Sequence, residues 1–178
     1  MDPLLKLEDN PLFDEFTREE LQEITAASHL ASYRPGEVII QASTRGSLFG
    51  VVLEGSVRAE TRDASGNVVV LGEIDEGGYF GEVSLVSGEE TTASVVAVSP
   101  SEILEVPHEV MAGALATHPE AMREVTQTII ERLTANRERA DEAKAVPLTA
   151  WTNGHDPVIQ HHFLRPVSRH HPPTRYSF

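Results

Sequence analysis

Between Leu30 and Val106 the chain is cut into short β-branched runs, and the turns that cut it leave few folds open. The runs are Val38-Ile39-Ile40, Phe49 to Leu53, Val57 to Thr61, Val68 to Leu71, Ala93 to Val98 and Ile103 to Val106. Pro35-Gly36, Arg45-Gly46, Glu54-Gly55, Ser65-Gly66-Asn67, Gly77-Gly78 and Ser99-Pro100 separate them. β-Branched side chains are stiff and sit well on a pleated surface, whereas Gly, Pro and Asn supply the angles that reverse a chain. Short strands spaced by about 8–12 residues, with Gly-rich turns between them, predict an antiparallel sandwich, barrel or roll.

Helical patterns flank this region. Thr17-Arg18-Glu19-Glu20 reads as a capping box, and Leu21, Ile24, Ala27 and Ser28 follow at helical spacing. Leu12, Phe13 and Phe16 precede it as an apolar patch suited to packing on a neighbouring layer. After Pro107 the pattern returns to helix, and His118-Pro119-Glu120 opens a long one running to about Lys144. Met122, Thr126, Ile129, Leu133, Asn136 and Ala140 form a stripe on it, with Val125 and Ile130 flanking. The stripe fades into Asn136-Arg137-Glu138-Arg139, a solvated or partner-facing stretch.

Composition removes several function classes. The net charge of -14 argues against a nucleic-acid surface, which needs clustered Lys and Arg. The charge is uneven: residues 145–178 carry Arg165, Arg169 and Arg175 against Asp156 alone, so the tail is basic and the body strongly acidic. There is no cysteine, which excludes disulfides, thiolate zinc sites and thiol catalysis. No apolar stretch approaches the roughly 20 residues of a membrane span, and the N-terminus lacks the pattern of a secretory signal. A cytoplasmic protein is expected. Five prolines beyond Ala145, without periodicity, predict a disordered tail outside the fold.

Gly78-Tyr79-Phe80-Gly81-Glu82-Val83-Ser84-Leu85 carries the functional signal. Phe80 is expected to plug the roll, and Gly81 to turn the backbone into a short helix at Glu82. The first turn of that helix presents free N–H groups, an anion cradle. Glu82 beside those donors suits a sugar hydroxyl, or else caps the local turn.

This segment resembles the phosphate-binding cassette of the cyclic-nucleotide-binding domain family, which includes catabolite-activator-type regulators and protein kinase A regulatory subunits. The likeness extends over roughly residues 10–140 and includes Glu37-Val38-Ile39-Ile40, Gly46 and Leu53-Glu54-Gly55-Ser56-Val57. It implies ligand contacts from Phe80, Gly81, Glu82, Val83, Ser84, Thr91, Thr92 and Ala93, with cyclic AMP or cyclic GMP as ligand. The sequence departs from the family pattern at the arginine that pairs with the cyclic phosphate, where it has Thr91, preceded by Glu90. Ser43-Thr44 also replaces the usual Gly-Asp pair. A charge-assisted contact of about 1.5–3 kcal/mol is missing, which weakens a nucleotide about 10- to 100-fold.

The expected architecture is therefore mainly β with flanking helices. It is an antiparallel β-roll (a double-stranded β-helix, jelly-roll-like) with an N-terminal helix and a long C-terminal helix. Residues 1–10 are a lead-in, 11–144 the domain including helix 119–143, and 145–178 the tail. The resemblance implies that ligand at Glu82 pulls the cassette inward, and that the hinge at Val106-Pro107 and the helix after it transmit occupancy. Helix 119–143 is a candidate homodimer interface, with Asn136 setting register.

No helix-turn-helix pattern follows the long helix, so direct DNA binding is not expected. His161-His162 and His170-His171 sit in a segment that fixes no ligand geometry, so no metal site is expected. The β-region contains no inward His set of the kind a cupin-type metalloenzyme requires, and no nucleophile–base pairing is visible. Two readings remain: a ligand sensor acting on a separate effector, or a degenerate roll used for dimerisation or docking.

Overall fold

The capping signals written into the N-terminal residues set the first elements. The computed structural model describes residues 1–144, with side chains described as far as Arg139. Asp2 accepts from the Leu4 N–H and starts α1 (Pro3–Glu8), a short helix that the lead-in reading of 1–10 did not include. Asn10 caps a 3-10 turn at Pro11–Phe13, and Thr17 caps α2 (Arg18–Ala27). The capping box forms: the Glu20 N–H donates to Thr17 Oγ1 at 3.3 Å, and the Thr17 N–H donates to Glu20 Oε2 at 2.8 Å. Helix α2 buries Leu21 and Ile24.

Eight strands follow. They are β1 (His29–Tyr33), β2 (Val38–Ile40), β3 (Leu48–Glu54), β4 (Ser56–Arg62), β5 (Val68–Asp75), β6 (Tyr79–Phe80), β7 (Ser94–Ala97) and β8 (Ser101–Pro107). Helix α3 (Glu82–Ser87) interrupts them after β6, and α4 (His108–Ala116) and α5 (Pro119–Lys144) close the chain's described part. The strands form two antiparallel four-stranded sheets, ordered β1-β8-β3-β6 and β2-β7-β4-β5. This is an antiparallel jelly-roll, one of the architectures that the turn spacing left open and the one that the family resemblance implied. Each anticipated run lies in or overlaps a strand. Strands β1 and β6 were not among those runs, because β1 (His29-Leu30-Ala31-Ser32-Tyr33) has no β-branched residue and β6 has two residues only.

Strand β3 explains how the roll carries helices on its back. Its apolar run is buried on both faces, as a two-sided strand must be. Phe49, Val51 and Leu53 face a cluster with Leu12, Phe13, Leu21, Leu104, Met111, Leu115 and Val125. Val52 belongs to the inter-sheet cluster with Val57, Ile74, Phe80, Val95 and Ile103. The period of two separates the layers, so a one-residue slip would exchange them.

Helix α5 packs through Ala121 and Val125, both buried, with Met122 and Ile129 half-buried beside them. This differs from the expected stripe. Val125 is an anchor rather than a flank, Thr126 is exposed, and Leu133 is 49% exposed. The inward face instead continues through Thr128 and Arg132, polar residues that find partners in the roll. At the helix's start, His118 stacks on Phe16 with centroids 3.8 Å apart and lies 3.3 Å from Glu20. No helix among the described residues is long and apolar enough to cross a membrane. The tail 145–178, with its prolines and paired histidines, lies outside the described residues.

Candidate functional site: the Phe80–Ala93 cassette

The cassette is built on two glycines, one that makes room for a phenylalanine ring and one that turns the chain into a helix. Phe80 ends β6 opposite Gly50, and its ring enters the inter-sheet core, 2% exposed. A Cβ on Gly50 would lie 2.1 Å from that ring, so only glycine lets the two strands pair around it. Gly81 then takes φ 86° as the N-cap of α3, a left-handed conformation that glycine adopts without steric cost. A Cβ there would stand 2.4 Å from the Leu48 carbonyl. The chain turns at once into α3, whose first-turn N–H groups have no partner within the helix.

Glu82 is the first residue of α3 and is almost sealed, its side chain 4% exposed. A buried carboxylate needs a partner, and it comes from α5. Arg132 donates from Nη1 to Glu82 Oε1 at 2.5 Å and from Nη2 to the Tyr79 carbonyl at 2.8 Å. Its guanidinium carbon also sits 5.6 Å from the centre of the Tyr79 ring. The Tyr79 phenol is 2.7 Å from Thr128 Oγ1, one turn earlier on α5. Burial pushes the Tyr79 phenol above its ordinary pKa, so it stays protonated and remains a hydrogen-bonding anchor.

Val83 is half-buried. Ser84 is buried and donates its hydroxyl to the Gly81 carbonyl at 3.2 Å. Gly46 packs on Ser84 and on the His108 ring, where any Cβ would clash. His108 Nε2 is buried there without a hydrogen-bond partner among the described residues. Thus α3 leans directly on the first residue of α4.

Thr91 is organised differently. It is 8% exposed, and its hydroxyl donates toward the carbonyls of Gln41 at 2.8 Å and Thr44 at 3.1 Å. The Ser43 N–H donates to the Thr91 carbonyl, and the Thr91 N–H to the Thr44 carbonyl, both at 2.8 Å. Arg45 and Glu90 extend this into an isolated antiparallel bridge. The side chain therefore ties the 41–45 loop to the cassette. Thr92 is exposed and Ala93 half-buried at the approach to β7. No hydrogen bond among the described residues joins the Glu82 end to the Thr91 end.

The family model for the cyclic nucleotide-binding domain matches residues 30–118, half of the chain. The chain belongs to this family. The domain is similar to the cAMP-dependent protein kinase regulatory subunit of Mycosarcoma maydis, 32% identical over 96 residues that cover 54% of this chain and 18% of that one. Among solved structures, the sensor domain of the transcriptional regulator DNR from Pseudomonas aeruginosa superposes with a TM-score of 0.64 at 21% identity. It covers 81% of this chain and 95% of that one. The regulatory subunit of a cAMP-independent protein kinase A from Trypanosoma brucei gives 0.63 at 22% identity, covering 70% and 46%. The chain thus spans less than a fifth of its fungal relative and all but a small part of the bacterial sensor domain.

Several residues of this cyclic nucleotide-binding domain's cassette were not found by reading the sequence. Arg132, Gln41 and His108 all touch it or its supports, and Tyr79, inside the recognised segment, had been given no role of its own. The available signal was the spacing Ala121, Val125, Thr128, Arg132, which is one helix face. A charged residue at its end reads as a solvated position unless a buried carboxylate is known to wait opposite.

Proposed function

We propose that residues 11–144 form a regulatory, ligand-sensing domain in which Glu82 accepts a hydrogen bond from a sugar hydroxyl of a cyclic nucleotide or a related nucleoside. Phe80 to Ser84 and Thr91 to Ala93 wall the site, and no chemical step is assigned to them. The observation that carries this reading is a carboxylate, buried at the start of α3 beside unpartnered first-turn N–H groups, in a chain of this family. Occupancy reaches an effector through α4 and α5, because both touch α3 or its neighbours. Exposed Ile130 and Leu133 on α5 support a homodimer through that helix.

Thr91 supports a second reading. Its hydroxyl is engaged with the 41–44 loop and brings no positive charge, so a phosphate finds no arginine at that position. The T. brucei relative is described as cAMP-independent. A roll that does not answer to cyclic AMP and serves as a docking piece fits these two facts.

Thermal-shift titration with cyclic AMP, cyclic GMP and cyclic dinucleotides, followed by calorimetry, separates the readings. The sensor reading expects binding that disappears in Glu82→Ala and tightens about 10- to 100-fold in Thr91→Arg. No shift for the native chain at millimolar ligand, with binding gained in Thr91→Arg, establishes the docking reading instead.

A further inference from the structure

The Glu82 carboxylate keeps one oxygen free. Its Oε1 accepts from Arg132, while Oε2 has no partner among the described residues and is not sealed from solvent. A ribose hydroxyl can donate to Oε2 with the ion pair intact. Because carboxylate and guanidinium cancel, this end of the cassette offers a hydrogen-bond acceptor without net charge.

The other end offers a phosphate no full positive charge. Between Gly78 and Ala93 there is no Lys, Arg or His, and Glu89 and Glu90 stand exposed beside Thr91. Arg45, the one cation of the facing loop, stands opposite Glu90 in the isolated bridge and offsets only that charge. The Thr91 hydroxyl has nothing left to donate. Its proton goes to the Gln41 and Thr44 carbonyls, and its oxygen accepts from the Thr44 N–H at 3.3 Å. The first-turn N–H groups of α3, a helix of six residues, carry partial charges alone. A phosphodiester anion placed here gives up water and meets no counter-charge, which is an unfavourable exchange.

We infer that the site selects an uncharged nucleoside over the cyclic nucleotide of the same base. This rests on the sensor reading and names its ligand class: a ribose held at Glu82 Oε2, with no phosphate at Thr91. The discrimination is electrostatic, so it answers to charge and to salt.

Calorimetry on the full chain compares adenosine with cyclic AMP, and guanosine with cyclic GMP. For the base that binds, the nucleoside should bind about tenfold more tightly than its cyclic phosphate, and Glu82→Ala should abolish both. Added salt should narrow the gap by screening Glu89 and Glu90. Thr91→Arg should close or reverse it, strengthening the cyclic nucleotide about 10- to 100-fold. Thr91 is buried, and a long side chain there can disturb the loop. The exposed pair Glu89→Gln with Glu90→Gln therefore serves as a second variant, with a tighter cyclic nucleotide and an unchanged nucleoside expected. Equal or tighter binding of the cyclic nucleotide to the native chain overturns the selection and leaves the sensor reading standing. If none of the four compounds binds the native chain at millimolar concentration, the sensor reading falls and the selection falls with it.

Discussion

The two ends of the cassette are closed by different chemistry. At the Thr91 end a neutral hydroxyl and a small backbone ladder tie the 41–45 loop to the approach to β7. At the Glu82 end a buried carboxylate is closed by a guanidinium from α5, far along the chain. The first closure is local to the roll and leaves no net charge to exchange. The second is an ion pair between the roll and a helix, and removing the guanidinium leaves a sealed carboxylate without its partner. The neutral end holds the frame, and the charged end connects it to α5.

Phe80 adjoins the Glu82 end and shares the inter-sheet cluster with Val95 of β7, the strand that the Thr91 end leads into, and its removal has the largest expected effect. The ring fills the space that Gly50 vacates and packs with Val52, Val57, Ile74, Val95 and Ile103. Phe80→Ala should cost about 3–5 kcal/mol in denaturant unfolding, the usual range for a buried aromatic. If the loss stays below about 1 kcal/mol, the two ends do not share a common wall, and the comparison breaks there.

Thr91→Val sharpens the contrast with a smaller change. The substitution keeps the shape but removes one of two donors from each of the Gln41 and Thr44 carbonyls and the acceptor of the Thr44 N–H, at a cost of about 1 kcal/mol. Thr91→Ser retains the hydroxyl and should unfold close to the native chain. Because this end is a frame, Thr91→Val should leave amide exchange in α5 unchanged. Faster exchange there would join the two ends energetically and remove the distinction drawn between them.

The frame was far more legible in the sequence than the connection. Strands and turns are local: Val38-Ile39-Ile40 or Ser65-Gly66-Asn67 carries its own backbone preference, and so does the Thr17–Glu20 capping box. Phe80, Gly81 and Glu82 were legible because they are contiguous. Arg132 was not, since its partner lies fifty positions away and nothing in a helical pattern separates an inward arginine from a solvated one. The expected stripe was displaced by about one residue for the same reason: Met122 and Leu133 score as apolar, whereas Thr128 and Arg132 do the anchoring. Thr91 was read as a missing charge. Its positive role, holding Gln41 and Thr44, depends on a loop that strand patterns do not place.

The smallest expected effect tests whether any carboxylate contact made at α5 would behave like that of Arg132 and Glu82. Glu20 lies 3.3 Å from His118 at the opposite end of that helix and is solvent-exposed enough to serve as the control. The Thr17 backbone N–H, more than His118, holds the Glu20 carboxyl below its ordinary value of 4.5. A depressed carboxyl contributes stability that is fully present above the unfolded value and is lost as pH falls through the lower folded value. Glu20→Gln should therefore lower the melting temperature slightly at neutral pH, and its difference from the native chain should close as the pH falls below the ordinary value of 4.5 and through the lower folded one. Arg132→Ala measured alongside should give the larger drop, because it strips a sealed carboxylate and not an exposed one. Equal drops would mean that burial confers nothing special on the cassette pair, and that α5 is held by generic ion pairing along its length.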